Sequence, residues 1–247
     1  NDKGSLGVST RRGEVWLILN PENTKSEYIR FAHGLHEPLG LLYHEGSFFC
    51  NQRGELTQLI DEDGDNQADI YKTITKWNLN GNYHEYSYGP ILLPDGQMLV
   101  TLNLGWIGYG DSGSKWRGWM LKVSQDGKVT PYATGLRSPA GFGVNAEGDI
   151  FYTENQGDWV GSGRMTHLES GDFAGNPAGL RWSAEMGSPV KLKFGDIDDT
   201  KNLSLYEYQN ELEGVKAPSI WFPHTLMGIS TSDINFFSKK WGHLRAK

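Results

Sequence analysis

The feature that most constrains this sequence is an internal repeat. Residues 34–40 read GLHEPLG and residues 135–141 read GLRSPAG, so both match G-L-x-x-P-x-G at an offset of 101 residues (135 minus 34). An intermediate copy is marked by turns in which an acidic residue precedes Gly46, Gly96 and Gly148, spaced 50 and 52 residues apart. Such a period indicates an array of small supersecondary units rather than one irregular domain.

Each repeat unit contains the pattern of an antiparallel sheet. The acidic-Gly turns separate apolar runs, and Gly accepts the positive φ that a tight hairpin turn needs. The predicted strands are residues 48–51, 98–101 and 150–153 directly after the turns, 55–60, 118–123 and 164–168 as third strands, and 71–74 and 129–132 as fourth strands. Four such strands per unit are typical of a propeller blade. The predicted fold class is therefore an all-β β-propeller of four-stranded antiparallel blades, with two unrelated sandwiches as the alternative.

The repeat also predicts the domain organisation. Partial units at residues 13–31 and 217–237 flank the clear ones, so the 247 residues hold four to five blades. We expect residues 1–247 to be a single propeller domain of the six-bladed type that is incomplete at its C-terminus. An open ring would leave raw sheet edges, which proteins avoid. The ring is expected to be completed by further blades or by another chain.

Composition excludes several classes of function. The net charge is −7 and the basic residues are scattered, which disfavours nucleic acid as a partner. No apolar run approaches the roughly 18 residues of a membrane span. Cys50 is the single cysteine, so a disulfide framework is excluded.

Two residues in equivalent loops are candidates for catalysis. His84 comes just before the first strand of its unit, and such entry loops ring the channel of a propeller. A histidine there is suited to act as a general base, because its pKa lies near neutrality. Arg137 occupies the equivalent loop in the next unit, where its forked donors suit a carboxylate or carbonyl. A structural hydrogen bond for His84 and a surface salt bridge for Arg137 remain open.

Two polar segments are candidates for Ca²⁺ binding. Residues 153–159 read TENQGDW and follow an apolar strand, so their amide and carbonyl oxygens suit a hard cation. The acidic segment 61–69 places carboxylates at alternate positions and lacks the twelfth-position Glu of an EF-hand. Solvated turns are the alternative for both. The candidate carboxylate ligands are Asp61, Asp63, Asp65 and Asp69.

Aromatic and glycine residues cluster at residues 103–109, with Trp116 and Trp119 close behind. Exposed rings of this kind can stack on a sugar or a planar cofactor. Core packing is the alternative for at least one of these tryptophans.

Several of these segments, in this order, resemble the soluble pyrroloquinoline quinone (PQQ)-dependent sugar dehydrogenases, a family that includes glucose, aldose and sorbosone dehydrogenase-like proteins. The matching positions are His84, residues 94–96 (PDG) and Thr101, then residues 135–141, then 153–157, and last Leu168, Gly171, Phe173, Gly175 and Pro177. Ser138 stands where the family usually has Asn. Within the family, the sequence looks closest to secreted dehydrogenase-like proteins of marine and planctomycete-type bacteria, often fused to haem domains.

The resemblance implies a function and roles for individual residues. His84 would take the proton of a sugar's anomeric hydroxyl, and Arg137 would contact a quinone carbonyl. The other implied cofactor contacts are Ser138, Asn155 and Gln156, and the backbone oxygens of Gln156 and Gly157 would bind a bridging Ca²⁺. The implied protein is a secreted or periplasmic oxidoreductase that oxidises an aldose with PQQ and Ca²⁺ and passes electrons to a haem protein or cytochrome. Two alternatives stay open: a non-catalytic glycan- or protein-binding propeller whose binding face includes Trp106, Trp116 and Trp159, and a Ca²⁺-dependent propeller hydrolase or lactonase.

Overall fold

The computed structural model describes residues 1–2, 4–105, 113–227 and 230–236. Within these residues, fifteen strands form four sheets, and each strand lies beside its neighbour in sequence. The first sheet contains β1 (Leu6–Thr10), β2 (Glu14–Leu19) and β3 (Glu27–Ala32). The second contains β4 (Leu41–His44), β5 (Ser47–Asn51), β6 (Glu55–Ile60) and β7 (Ile70–Lys76). These are the meander sheets that the repeat predicts.

The remaining two sheets each have four strands. The third contains β8 (Ser87–Leu92), β9 (Met98–Leu102), β10 (Trp119–Val123) and β11 (Val129–Thr134). The fourth contains β12 (Gly141–Val144), β13 (Ile150–Glu154), β14 (Gly163–Leu168) and β15 (Ile220–Phe222). No helix among the described residues has both the length and the apolar character needed to cross a membrane.

The chain forms two compact units. The first comprises Asn1–Leu102, Ser112–Arg117 and Leu121–Thr130, and the second comprises Asn103–Asp111, Gly118–Met120 and Pro131–Lys247. The first two sheets lie in the first unit and the fourth sheet lies in the second.

The predicted turns form with the expected backbone. Glu45 and Gly46 have φ of +47° and +80° and join β4 to β5, where His44 pairs with Ser47. Positive φ at both central residues gives a turn whose twist matches the flanking strands. The other two turns are five-residue loops between paired strand ends, and each also contains a glycine at positive φ.

The last glycine of each G-L-x-x-P-x-G motif marks a close approach of two backbones. A Cβ on Gly40 would lie 1.9 Å from the carbonyl oxygen of Gly89, at the start of β8. A Cβ on Gly141 would lie 2.7 Å from the backbone nitrogen of Asp233. No side chain fits at either distance, so the repeated glycine is required by chain packing.

The first two sheets share a buried apolar core. Phe31 and Phe48 pack edge to face with centroids 5.1 Å apart. Cys50 is fully buried beside them, and burial raises the pKa of its thiol to about 12, which leaves it unreactive. The cluster consists of Val15, Leu17, Phe31, Ala32, Leu35, Phe48, Cys50 and Leu59.

The fourth sheet differs from the predicted fifty-residue unit. Its fourth strand, β15, pairs with β14 only after an excursion over residues 169–219. This excursion contains the 3₁₀ helices Pro177–Trp182 and Asp199–Lys201 and the helix α1 (Leu205–Glu211). The predicted partial unit at 217–237 is therefore divided: β15 completes the fourth sheet, and residues that follow it lie against Gly141 and Gly143.

Candidate functional site

His84 lies in the first unit on a short loop that ends at β8. The Asn82 side chain accepts a hydrogen bond from the His84 backbone N–H at 2.9 Å, and the His84 carbonyl accepts one from Tyr86 at 2.8 Å. The half-buried imidazole lies against the ring of Tyr83, with centroids 3.8 Å apart. The backbone on both sides of the predicted base is therefore fixed.

Two arginines hold this loop through Tyr86. The guanidinium of Arg53 lies 5.1 Å from the Tyr86 ring centroid and that of Arg11 lies 5.4 Å from it. The Glu37 carboxylate contacts both arginines: its Oε1 lies 2.9 Å from Arg11 Nε, and its Oε2 lies 2.9 Å from Arg53 Nη1. Arg53 also donates to the Asn82 carbonyl at 2.8 Å.

A buried ion pair lies beneath the same loop. Arg117 and Glu85 are both fully buried, and Arg117 Nε is 4.0 Å from Glu85 Oε1. The Arg117 guanidinium also donates to the backbone carbonyls of Tyr86 and Arg53, at 2.8 and 3.1 Å. Burial lowers the pKa of Arg117 to about 10, although the Glu85 carboxylate opposes that shift. Arg117 thus contacts the backbone and the buried carboxylate of the loop that carries His84.

The second unit contains another buried ion pair, at the end of β13. Glu154 stands opposite Arg164 in the strand register, and Glu154 Oε2 lies 2.5 Å from Arg164 Nη2. Burial lowers the pKa of Arg164, but its interactions with Tyr152 and with the Glu154 carboxylate outweigh burial and keep that pKa above its ordinary value. Arg164 Nε has no hydrogen-bond partner among the described residues. A buried donor in this state is suited to an oxygen ligand.

Arg137 is placed by the same carboxylate. Glu154 Oε1 accepts a hydrogen bond from the backbone N–H of Ser138. The Arg137 side chain then runs across Gly157, where a Cβ would lie 2.5 Å from Arg137 Cδ. Its Nε lies 3.4 Å from Asp158 Oδ2. Gly157 is therefore required for the approach of the arginine.

A small depression in the second unit brings several of the predicted residues together. Arg137, Asn155 and Gly157 all line it. Asn155 Oδ1 accepts hydrogen bonds from Ser230 and Thr231, at 3.0 and 3.1 Å. Gln156 is exposed and is not part of the lining, and Ser138 contacts Glu154 through its backbone. The full lining is Arg137, Glu154, Asn155, Gly157, Trp159, Val160, Arg164 and Asn176.

The residues of this depression fit the oxygen-rich edge of a quinone better than they fit a metal. Two guanidinium groups are donors for carbonyl or carboxylate oxygens, and the Nε of Arg164 is not used by any other described residue. The same positive groups oppose a cation, so a Ca²⁺ ion here would depend on backbone oxygens such as those of Gln156 and Gly157. As the side chains stand, the space between them does not admit a water molecule, so the edge of a planar cofactor would enter only if lining side chains moved aside.

The acidic segment forms a compact turn in the first unit. Asp61, Asp63 and Asp65 each offer a carboxylate oxygen within 4.8 Å of the others. Their carboxylates also accept hydrogen bonds from the loop itself: Asp61 from Gly64 and Asn66, and Asp65 from Gln67. Asp69 is turned to the Glu62 backbone, where it accepts a hydrogen bond at 2.8 Å. These carboxylate oxygens are of the type that binds Ca²⁺. Backbone N–H groups of the same turn also donate hydrogen bonds to them, so the turn is stable as a hydrogen-bonded loop as well.

The aromatic residues that were candidates for ligand stacking differ in how deeply they are buried. Trp119 is fully buried and donates from its indole to the Gly179 carbonyl at 2.7 Å, so of the two readings left open for this tryptophan the structure shows core packing. Trp116 is half-buried, with the Lys115 ammonium 5.1 Å from its ring. Trp106 and residues 107–109 lie outside the described residues.

Several site residues were not predicted, including Glu85, Arg117 and Arg164. A strand register could have paired Arg164 with Glu154, since both lie near the ends of adjacent predicted strands. No local pattern identifies Arg117, because its partners lie 31 to 64 residues away in sequence.

No known family profile matches this sequence, and no curated protein matches it either. Solved structures do match. The PQQ-bound aldose sugar dehydrogenase from Streptomyces coelicolor is 13% identical with a TM-score of 0.58, over 89% of this chain and 65% of that one. The holo PQQ domain of pyranose dehydrogenase from Coprinopsis cinerea is 14% identical with a TM-score of 0.55, over 68% and 48%.

A third similar structure is that of a Trichoderma reesei carbohydrate-active enzyme of family AA12, 15% identical with a TM-score of 0.54, over 69% of this chain and 50% of that one. The chain thus spans between about half and two thirds of these proteins. At such identities the likeness establishes the fold, and the predicted all-β propeller fold is confirmed.

Proposed function

We propose that this chain belongs to a propeller oxidoreductase that oxidises an aldose with PQQ as the oxidant and Ca²⁺ as its companion ion. The observation that carries the proposal is the group of Arg137, Arg164, Asn155 and Gly157 around one depression, where Arg164 Nε has no hydrogen-bond partner in the part of the chain that the structure describes. Two of the similar structures are described as containing PQQ. PQQ, when bound, supplies the two-electron oxidant that the side chains of the protein lack.

The chain's own residues would position the quinone and move one proton. Arg137 and Arg164 would donate hydrogen bonds to quinone or carboxylate oxygens, with Arg137 aligned by its contact with Gly157. His84, in the first unit, would be the general base that accepts the proton of the sugar's anomeric hydroxyl.

For Ca²⁺ we propose two positions. One uses backbone oxygens of Gln156 and Gly157 beside the cofactor edge. The other is the acidic turn, with Asp61, Asp63 and Asp65 as ligands. A Ca²⁺ titration of the apoprotein tests the turn: Asp63→Asn with Asp65→Asn should abolish one binding event, and Glu62→Gln should leave it. Retention of all binding in the double variant would exclude the turn as a site.

We further propose a secreted or periplasmic location and a haem protein or cytochrome as the final electron acceptor. The relation to proteins of marine and planctomycete-type bacteria stays a prediction. None of these points bears on the chemistry at His84 and Arg137.

The proposal is tested by reconstitution. The protein is mixed with PQQ and CaCl₂, and reduction of a redox dye is followed with D-glucose, D-galactose and D-xylose. We expect aldose-dependent reduction that His84→Gln lowers at least a hundredfold and that His33→Gln, at an exposed histidine, leaves unchanged. EDTA-sensitive lactone hydrolysis without an electron acceptor would favour the lactonase alternative instead. Glycan binding without turnover would favour the non-catalytic one.

A further inference from the structure

A second cleft in the second unit lies next to the depression and has a different character. It is a cavity of about 210 Å³ with two indole rings, those of Trp159 and Trp221, in its walls. Val160 and Leu203 supply further apolar surface, and Ser204 lies at its edge. None of the described residues that line it carries a charge.

The helix α1 positions both tryptophans. Trp159 lies 5.9 Å from the Tyr208 ring and 6.5 Å from the Phe173 ring, measured between centroids. Tyr208 is buried on α1 and donates to the Asp198 carbonyl at 2.6 Å. On the exposed side of the helix, Tyr206 lies 6.1 Å from Trp221 and donates to the Pro218 carbonyl at 2.9 Å. The ring contacts and tyrosine hydrogen bonds fix the orientation of both indoles.

These two tryptophans differ from the core tryptophan of the same unit. Trp119 is fully buried, whereas Trp159 and Trp221 are only half-buried and face a cavity. Leaving large apolar rings partly in water costs free energy, which a ligand with an apolar face would recover. Pyranose rings present such C–H faces and carry no charge, in keeping with the lining. The volume is below the roughly 300 Å³ of sites for drug-sized ligands, so it suits a single ring.

The cleft lies next to the candidate cofactor site and shares two lining residues with it. Trp159 and Val160 line both spaces, so a ring in the cleft would lie directly beside the depression that contains Arg137. We infer that the cleft between Trp159 and Trp221 binds one neutral pyranose ring of a saccharide. This inference locates a binding site for a sugar ring and rests on the proposed oxidoreductase function for its catalytic meaning, although the binding itself needs no cofactor.

The test is a binding titration with methyl β-D-glucopyranoside in the absence of PQQ, followed by tryptophan fluorescence and by calorimetry. This glycoside lacks a free anomeric hydroxyl, so it reports binding without turnover. D-mannitol, which has similar hydroxyls and no ring face, is the ligand control. We expect saturable binding of the glycoside and at least fivefold weaker binding of mannitol.

Variants locate the site. Trp221→Ala should weaken glycoside binding about five- to tenfold, and Trp221→Phe should restore most of it, because an aromatic face is retained. Ile220→Ala, at the exposed neighbouring position on β15, is the matched control and should bind as the unmodified protein does. The affinity for PQQ should be the same in all three variants, since Trp221 does not line the depression.

The outcomes separate the two proposals. No saturable glycoside binding, equal binding of mannitol, or full binding by a folded Trp221→Ala protein would overturn the saccharide cleft. If glycoside binding depends on Trp221 but no dye reduction is found with any aldose, the cleft stands and the proposed oxidoreductase function falls. Circular dichroism and the unfolding midpoint of each variant establish that it is folded.

Discussion

Glu154 and Arg164 stand opposite each other on β13 and β14, with their charged groups 2.5 Å apart and neither side chain more than 2% exposed. The second oxygen of the same carboxylate accepts the Ser138 N–H. A single buried acid therefore joins the strand register to the loop that carries Arg137. This arrangement links the stability of the fourth sheet to the geometry of the candidate cofactor site.

The first prediction concerns this pair. Glu154→Ala leaves the Arg164 charge buried without its carboxylate partner, and we expect the free energy of unfolding to fall by about 3–5 kcal/mol. Urea denaturation followed by circular dichroism measures it. Replacing both residues, as Glu154→Leu with Arg164→Leu, should recover much of the loss.

The matched control for that prediction is the exposed pair of Lys191 and Glu213, which also lies in the second unit. Lys191→Ala should have no measurable effect on unfolding, because solvent screens an exposed pair. An equal effect of Glu154→Ala and Lys191→Ala would contradict the role assigned to the buried pair.

The second prediction concerns Arg117. Arg117→Met removes the ion-pair partner of Glu85, whose carboxylate keeps the Asn80 N–H as a donor, and it removes the donor to several backbone carbonyls, so a loss of about 3–5 kcal/mol is expected. Hydrogen exchange should also accelerate at residues 78–86, around His84. Arg12→Met, at an exposed arginine, is the control. Unchanged exchange in a destabilised Arg117→Met protein would show that the residue does not organise this loop.

The third prediction is a pH dependence through Glu37. Burial raises the pKa of this carboxyl, but its hydrogen bonds to Arg11 and Arg53 outweigh burial and place the pKa below its ordinary value of 4.5. A lowered folded-state pKa gives stability that is complete above pH 4.5 and is lost as the pH falls through the folded pKa. The difference in the free energy of unfolding between the unmodified protein and Glu37→Gln, measured by urea denaturation, should therefore become smaller as the pH falls below 4.5. A difference that becomes larger in acid would contradict this prediction.

The fourth prediction tests the packing role of the repeated glycine. In Gly40→Ala the new methyl would collide with the Gly89 carbonyl, so we expect a loss of about 1–3 kcal/mol in the free energy of unfolding. Gly113→Ala is the control, since a Cβ there meets nothing within 4 Å. Equal thermal midpoints for the two variants would contradict the close approach of these backbones.

The sheets were predictable because their signals are local. The acidic-Gly turns and the apolar runs around them fix the hairpins, and the predicted third strand at residues 55–60 matches β6 to the residue. The excursion at residues 169–219 was not predicted, although Ser204 and Glu207 form a capping box, which is a sequence signal for the start of α1. A periodic pattern cannot show where an insertion interrupts it.

The site was only partly predictable. Arg137, Asn155 and Gly157 were identified through motif resemblance, and the structure brings them to one depression. Arg164 and Asn176 reach the same place through strand pairing and a 3₁₀ helix cap, which depend on tertiary structure. Residue type alone could not decide between ligand stacking and core packing for Trp119, which the structure buries.

The account depends most directly on whether PQQ binds at Arg137. Equilibrium titration of the apoprotein with PQQ in the presence of CaCl₂, followed by calorimetry, measures this. We predict saturable binding that Arg137→Met weakens at least tenfold, because a charged hydrogen bond to the cofactor is lost, and that Arg181→Met leaves unchanged. Absence of saturable binding, or equal affinity in the Arg137→Met protein, would contradict it.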